Sequence, residues 1–248
     1  MQGGRSPPQK SSDNYDKHEN GRLWIGWDPR IWEIKNVMSS EQYLHSEVYL
    51  ANGTFSHYMT AIYALNQLSH RKNLWNDIQS LGDRINMPWI IIGDYNNVLK
   101  VNDRMGGNEV QEYEYRDLEN MMEAIGVYEH ETQGPHFTWS NKHSQNLIHS
   151  RIDRALCNSL WFTKFQDSRI DVLNPHISDH SPLKVWMDRH NMISRQKRRF
   201  KFLNCVTEKP EFMEILRSNW QQEIEGRPMY KLWRKLFRLQ PELQKLNR

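Results

Sequence analysis

The sequence predicts an α+β domain with a layered α/β architecture, on three observations. Short runs rich in β-branched and aromatic residues recur between turn signals, spaced so that neighbours can pair as hairpins. Only a few segments carry apolar residues three and four apart, so helices are few. Strand-like and helix-like segments do not alternate regularly, which argues against a wheel of βαβ units.

Taken in order, residues 1–21 are polar, contain Pro7-Pro8 and Ser11-Ser12, and show no apolar period, so a disordered arm is expected. Leu23-Trp24-Ile25-Gly26-Trp27 opens the ordered chain as a strand closed by the Asp28-Pro29 turn signal. Residues 31–38 and 44–50 read as further strands, and Asn52-Gly53 marks a hairpin returning through residues 58–64. Between residues 70 and 85 the period changes, with Leu74, Ile78, Leu81 and Ile85 on one helix face. Trp89-Ile90-Ile91-Ile92 then reads as a buried central strand. It stops at Gly93, and Asp94 and Asn96 follow at once, where a rigid sheet rim presents ligand-binding groups. A polar loop over 101–111 holds Gly106-Gly107. Leu118, Met121, Met122 and Ile125 mark a second amphipathic helix stopped by Gly126.

Short strands are expected at 136–139 and 150–157, then a short aromatic helix around Leu160, Trp161, Phe162 and Phe165, then strands at 169–173 and 183–187. Past Arg189 the character changes. A basic run (Arg195, Lys197, Arg198, Arg199, Lys201) precedes two helical segments at 211–223 and 228–239. The chain is thus expected to divide into an arm (1–21), a domain (22–188) and a basic helical connector (189–248).

A chain of 248 residues suffices for one full domain with an appendage. Hydrophobic residues make up 38% and tryptophans number 10, enough for an aromatic-rich core in which Trp75, Trp161 and Phe165 are expected. A net charge of +3 permits a nucleic-acid partner without requiring one. Cys157 and Cys205 alone make no disulfide framework and no thiolate-rich metal site, which points to a reducing intracellular compartment. The basic run also admits a nuclear address. No apolar stretch is long enough for a secretory signal or a bilayer span, so no membrane partner is expected. His136, His143 and His149 lack zinc-ligand spacing, and no cysteine joins them.

The polar residues at strand ends carry the chemistry: Asp94 and Asn96, Ser150-Arg151-Ile152-Asp153-Arg154, and Ser178-Asp179-His180-Ser181. Two acids with a nearby amide can hold a hard cation such as Mg²⁺ through oxygen. A histidine beside an acid can stabilise charge at a reacting phosphate. The structural alternatives are a turn at Asp94–Asn96, ion pairs for Asp153 with its flanking arginines, strand core for Tyr63 and turns for Asn66 and Asn141.

In this order the motifs resemble the endonuclease/exonuclease/phosphatase family, which shares its fold with pancreatic deoxyribonuclease and the abasic-site endonucleases. Within it they are similar to the endonuclease domains of plant LINE-type retrotransposons. The matching stretches are Thr60-Ala61-Ile62-Tyr63-Ala64-Leu65-Asn66, Gly93-Asp94-Tyr95-Asn96, Phe137-Thr138-Trp139-Ser140-Asn141, Ser150-Arg151-Ile152-Asp153-Arg154 and Ser178-Asp179-His180. The resemblance implies a DNase I-like sandwich of two mostly antiparallel sheets flanked by helices. It also implies hydrolysis of DNA phosphodiesters with Mg²⁺ or Mn²⁺.

By the same resemblance Asp94 activates the attacking water, and Asn96 holds that aspartate or the phosphate. His180 stabilises the phosphorus centre, Asp153 orients His180, and Asp179 binds the metal. Tyr63 and Asn66 contact phosphate oxygens, while Asn141 and Arg151 are candidates for nucleic-acid contact. The tail, with Arg199-Phe200-Lys201-Phe202 and Pro228-Met229-Tyr230-Lys231-Leu232-Trp233, resembles the connector that leads such endonucleases to a reverse transcriptase, the implied partner domain.

The family pattern opens with a strand bearing an asparagine and a second strand ending in a metal-binding glutamate. Nothing before Leu23 matches these, and neither Glu33 nor Glu47 is expected to reach the site. The expectation is an amino-terminally truncated copy lacking the first strands, with an incomplete metal site, impaired activity and poor stability. The alternative is a catalytically inactive remnant that at most binds nucleic acid through its basic tail. Both readings place Asp94, Asn96, Asp153, Asp179 and His180 in one pocket at the sheet rim.

Overall fold

The computed structural model describes residues 10–18, 21–175, 177–187, 207, 209–224, and 235, 236, 238, 239, 242, 243 and 246. Strands run in the order β1 (Lys10–Asp13), β2 (Trp24–Trp27), β3 (Trp32–Ser39), β4 (Tyr43–Leu50) and β5 (Phe55–Tyr63), followed by α1 (Leu68–Gly82) and β6 (Trp89–Asp94). Next come β7 (Arg104–Met105), α2 (Glu112–Ile125), β8 (Val127–Glu129), β9 (Thr132–Gln133), β10 (Trp139–Ser140), β11 (His149–Ser150) and β12 (Asp153–Asn158). Then follow α3 (Ser159–Lys164), β13 (Arg169–Val172), β14 (Leu183–Trp186) and α4 (Pro210–Trp220). Two compact units, Met1–Asp188 and Arg189–Arg248, divide the chain.

The first unit is a mixed α/β fold built on a six-stranded sheet in the order β3-β4-β5-β6-β12-β8. Only the β5–β6 pair in it is parallel, because α1 carries the chain back across the sheet between them. Successive residues of β6 point to opposite faces, so its unbroken apolar run feeds two cores at once. On one face Trp89 and Ile91 pack with Leu74, Trp75, Ile78 and Leu81 of α1 and with Leu118 and Met121 of α2. On the other, Ile90 packs with Ala155, Cys157, Trp161 and Ile170, and Leu183 and Val185 close over them. The small sheet β14-β13-β9, with α3 beside it, therefore lies as a second layer on the large one, and α1 and α2 form the third, as the layered reading expects.

Local signals explain the boundaries. Gly53 takes φ +82 in the turn between β4 and β5, and Gly126 takes φ +63 at the end of α2. Gly93 is more constrained still: its φ is +146, and a Cβ there would stand 2.0 Å from the carbonyl oxygen of Ile62 on β5. Gly93→Ala is expected to destabilise the domain by about 2–4 kcal/mol, read as a lower urea midpoint. An unchanged midpoint would show that β5 and β6 can separate without cost.

Three expectations need correction. The 1–21 arm contains an ordered segment, since β1 pairs antiparallel with β2 from Lys10↔Trp27 to Asp13↔Trp24. It needs no apolar period because main-chain pairing and one amide hold it. Asn14, fully buried, donates to the carbonyl of Ser40 at 2.9 Å and accepts from the Leu23 N–H at 2.9 Å. Residues 1–9, 19 and 20 lie outside the described residues.

The strand expected at 150–157 is split. Arg151 turns its N–H to the carbonyl of Asp103 at 2.7 Å, so Ser150 closes β11 and Asp153 opens β12. The strand expected at 136–139 shrinks to Trp139–Ser140, which pairs with the two residues of β11.

In the second unit α4 begins with proline in its first turn, where a missing N–H costs nothing. Leu239 and Leu243 pack there with Phe212, Ile215 and Leu216. The basic run 195–201 and most of the segment expected at 228–239 lie outside the described residues. Among the described residues no helix is long and apolar enough to cross a membrane.

Candidate active site

The site follows from strand register. Tyr63 stands beside Asp94 in the parallel β5–β6 pair, and Asp153 stands beside Asp94 in the antiparallel β6–β12 pair. Three functional candidates thus line up across the ends of adjacent strands. A single bridge from Trp139 to His180 brings the 177–181 loop alongside.

His180 Nδ1 lies 3.0 Å from Oδ2 of Asp153, and its Nε2 lies 4.0 Å from Oδ2 of Asp94. Asp94, Asp153 and His180 each offer a ligand atom within 4.8 Å of the others, so this group could hold a metal ion. Asp94 and Asp153 are 7% and 9% exposed. Two carboxylates facing each other across a ladder repel. Burial, reinforced by the charge of Asp153, pushes the Asp94 carboxyl up to about 6. The hydrogen bond that His180 Nδ1 donates to Asp153 raises the imidazole above its usual value, which favours the protonated ring.

Asn96 takes φ +45, a conformation asparagine tolerates, and its backbone N–H donates to Asp94 Oδ1 at 2.7 Å. Its side chain donates to the carbonyl of Ala64 at 2.7 Å. Asn96 therefore steadies Asp94 through its main chain, while its amide ties β6 to the chain leaving β5. Arg71 of α1, itself buried, donates to the carbonyl of Asn96 from beneath.

The other candidates are placed differently. Tyr63 is 36% exposed at the rim, and Asn66 is exposed just beyond it. Asp179 lies outside the three-residue group: its Oδ2 accepts from Trp139 Nε1 at 3.0 Å, and that bond holds its carboxyl below the usual value. Asn141 closes its own loop, accepting from the N–H groups of His143 and Ile148 and donating to the carbonyl of Asn146. Arg151 does not reach the site. Only 6% exposed, it donates to Glu129 Oε1 at 2.9 Å and 3.0 Å, to Thr132 Oγ1 at 3.2 Å and to the carbonyl of His136 at 3.1 Å. A guanidinium so engaged has little left for a phosphate.

Three features escape a reading of the sequence. Thr138 Oγ1 accepts the N–H groups of both Ile152 and Asp153, at 3.1 and 3.0 Å, and its carbonyl accepts from Ser181 N at 2.7 Å. It clamps the Asp153 and His180 segments together from inside. The second is Arg71, whose one sequence signal is its place as the lone cation on the buried face of Leu74, Trp75 and Ile78. The third is a buried ionic group, in which Arg154 joins Glu129 at 2.6 Å to Asp103. It fixes the start of β12 and so the carboxylate of Asp153.

Comparison with known proteins agrees with this architecture. A model of the "Endonuclease/Exonuclease/phosphatase family" matches residues 19–180. The fold is similar to the endonuclease domain of TRAS1, a telomere-specific non-LTR retrotransposon, with a TM-score of 0.55 at 12% identity over 77% of this chain and 81% of that one. It is also similar to the 3′ phosphatase NExo from Neisseria bound to a product DNA hairpin, with a TM-score of 0.52 at 14% identity over 66% and 74% of the two chains. No curated protein matches the sequence. Since the family model spans well over half of the residues, and the matched stretch contains Asp94, Asp153 and His180, this chain belongs to the endonuclease/exonuclease/phosphatase family.

Proposed function

We propose that the protein hydrolyses DNA phosphodiesters with Mg²⁺, as an endonuclease of the retrotransposon type. The observation that carries this reading is the convergence of a buried carboxylate of raised pKa with a histidine held by a second carboxylate. A base serves best when its pKa lies near the working pH, and Asp94 is poised there to take the proton of an attacking water. His180, with Nδ1 held by Asp153, presents Nε2 to a phosphoryl oxygen and donates to it as negative charge develops. The 4.0 Å between that nitrogen and Asp94 is too long for a hydrogen bond, so neither group satisfies the other.

The donor chemistry fits a hard cation in its two carboxylates, and Asp153 with one oxygen of Asp94 would hold it. The Asp94 pKa would then be drawn down by the cation's charge, and the base role would fall to the oxygen left free. When bound, the ion supplies charge compensation at the phosphate. Two carboxylates are a sparse set for such an ion, and this favours low activity. The same sparseness supports a second reading, a catalytically inactive module that binds nucleic acid.

Plasmid nicking with Mg²⁺ separates the two. The enzyme nicks, loses activity with EDTA, and slows by about 100–1,000-fold in His180→Ala. Absence of EDTA-sensitive nicking in the wild-type chain leaves the binding module.

A further inference from the structure

The candidate site and its edge carry more negative than positive charge, with Asp94, Asp153 and the neighbouring Asp179 set against the imidazole of His180 and the buried Arg71. A phosphodiester chain is repelled from such a centre unless cations flank it. Two exposed cations do. Arg22 precedes β2, and its guanidinium lies 5.6 Å from the centroid of the Tyr63 ring, the residue beside Asp94. Lys142 follows β10 in a left-handed conformation, φ +53, and its Nζ donates to the carbonyl of Ser178 at 2.8 Å, two residues before His180.

Both side chains are held, and both keep donors. A guanidinium stacked on a ring still presents its N–H edge, and an ammonium with one donor used keeps two. The order along the rim is Arg22–Tyr63, Asp94, Asp153–His180, then Ser178–Lys142. Neighbouring strands lie roughly 4.8 Å apart, so Tyr63 to Asp153 spans about 10 Å. That is the rise of about three nucleotides of B-DNA. We infer that Arg22, stacked on Tyr63, and Lys142 grip backbone phosphates of a nucleic acid on opposite sides of the phosphodiester presented to Asp94 and His180. This rests on reading the site as one that receives a phosphodiester backbone.

The test is binding of a fluorescent DNA duplex to the full chain in EDTA, measured by anisotropy across a salt series. Arg22→Ala and Lys142→Ala are each expected to weaken binding several-fold. Each should also lower the slope of log K against log salt by about 0.9, and the double variant by about 1.8. Lys72→Ala, on the exposed face of α1, should leave the slope unchanged. Any contribution from the 195–201 run is common to all variants and cancels in the differences.

Unchanged slopes in the two variants, an equal fall in Lys72→Ala, or a wild-type chain that ignores the duplex each overturns the inference. Because binding is read without metal, the outcome is independent of turnover. Slopes that fall in a chain that does not nick plasmid support the grip and sink the hydrolysis reading. Nicking with unchanged slopes does the reverse.

Discussion

Asp94→Asn is expected to slow hydrolysis severely and, in metal-free buffer near pH 8, to raise the melting temperature. Burial and the facing Asp153 push the Asp94 carboxyl up to about 6 in the folded chain, against 3.8 for the free group. The folded state therefore binds the proton more tightly than the unfolded state. Stability falls as pH rises from about 4 through about 6 and stays lower above that, by on the order of 3 kcal/mol. Asparagine removes the charge that costs this energy, while its carbonyl still accepts the Asn96 N–H. Loss of attraction to His180 and Arg71 offsets part of the gain.

A net of about 1–3 kcal/mol remains, or roughly 2–10 °C for a domain of this size. The gain should shrink to nothing below about pH 4, where the wild-type carboxyl is protonated in both states. Activity should fall by about 100–10,000-fold, the range for removing a general base. Calorimetry at several pH values with a nicking assay checks both halves. A melting temperature unchanged near pH 8 means that Asp94 ionises there without penalty.

The largest loss of stability is expected at Arg154. Its side chain is fully buried and joins Glu129 and Asp103, while the Asp103 carboxylate also accepts the N–H groups of Leu99 and Lys100 at 2.8 Å. Arg154→Ala leaves the Asp103 carboxylate, 2% exposed, without its guanidinium and leaves Glu129 with Arg151 alone. The cost should be about 3–5 kcal/mol, read from urea denaturation. Arg154→Lys should recover little, since a single ammonium cannot reproduce a fork that meets two carboxylates. A cost below about 1 kcal/mol would show that Glu129 and Asp103 reach water or take up protons when Arg154 is gone.

The fold was legible wherever a short-range pattern determines structure. The 3–4 spacing of Leu74, Ile78 and Leu81 yields α1, the Ile90–Ile92 run yields β6, and Asn52-Gly53 yields the β4–β5 turn. The β1 strand was not legible, because a segment held by main-chain bonds and one buried asparagine has no apolar period to display. The site was legible in part. Asp94, Asp153 and His180 were recognisable as strand-end residues in the right order, and they meet. The Ser150–Arg154 motif was misleading at Arg151: an arginine near a candidate acid looks like a phosphate contact, but nothing in the motif shows that the chain breaks between β11 and β12 or that Glu129 awaits the side chain inside.

From the sequence alone come the layered architecture, the chain positions of the candidate site residues and the family to which they point. These depend on interactions between near neighbours and on the order of motifs. Tertiary structure decided which groups touch. Pairing of β6 with β12 sets Asp153 beside Asp94, the Trp139–His180 bridge closes the imidazole onto it, and Trp139 draws Asp179 aside. Register between strands far apart in the chain is set by packing on both faces of the sheet, and a shift of one residue would send those side chains to the opposite face.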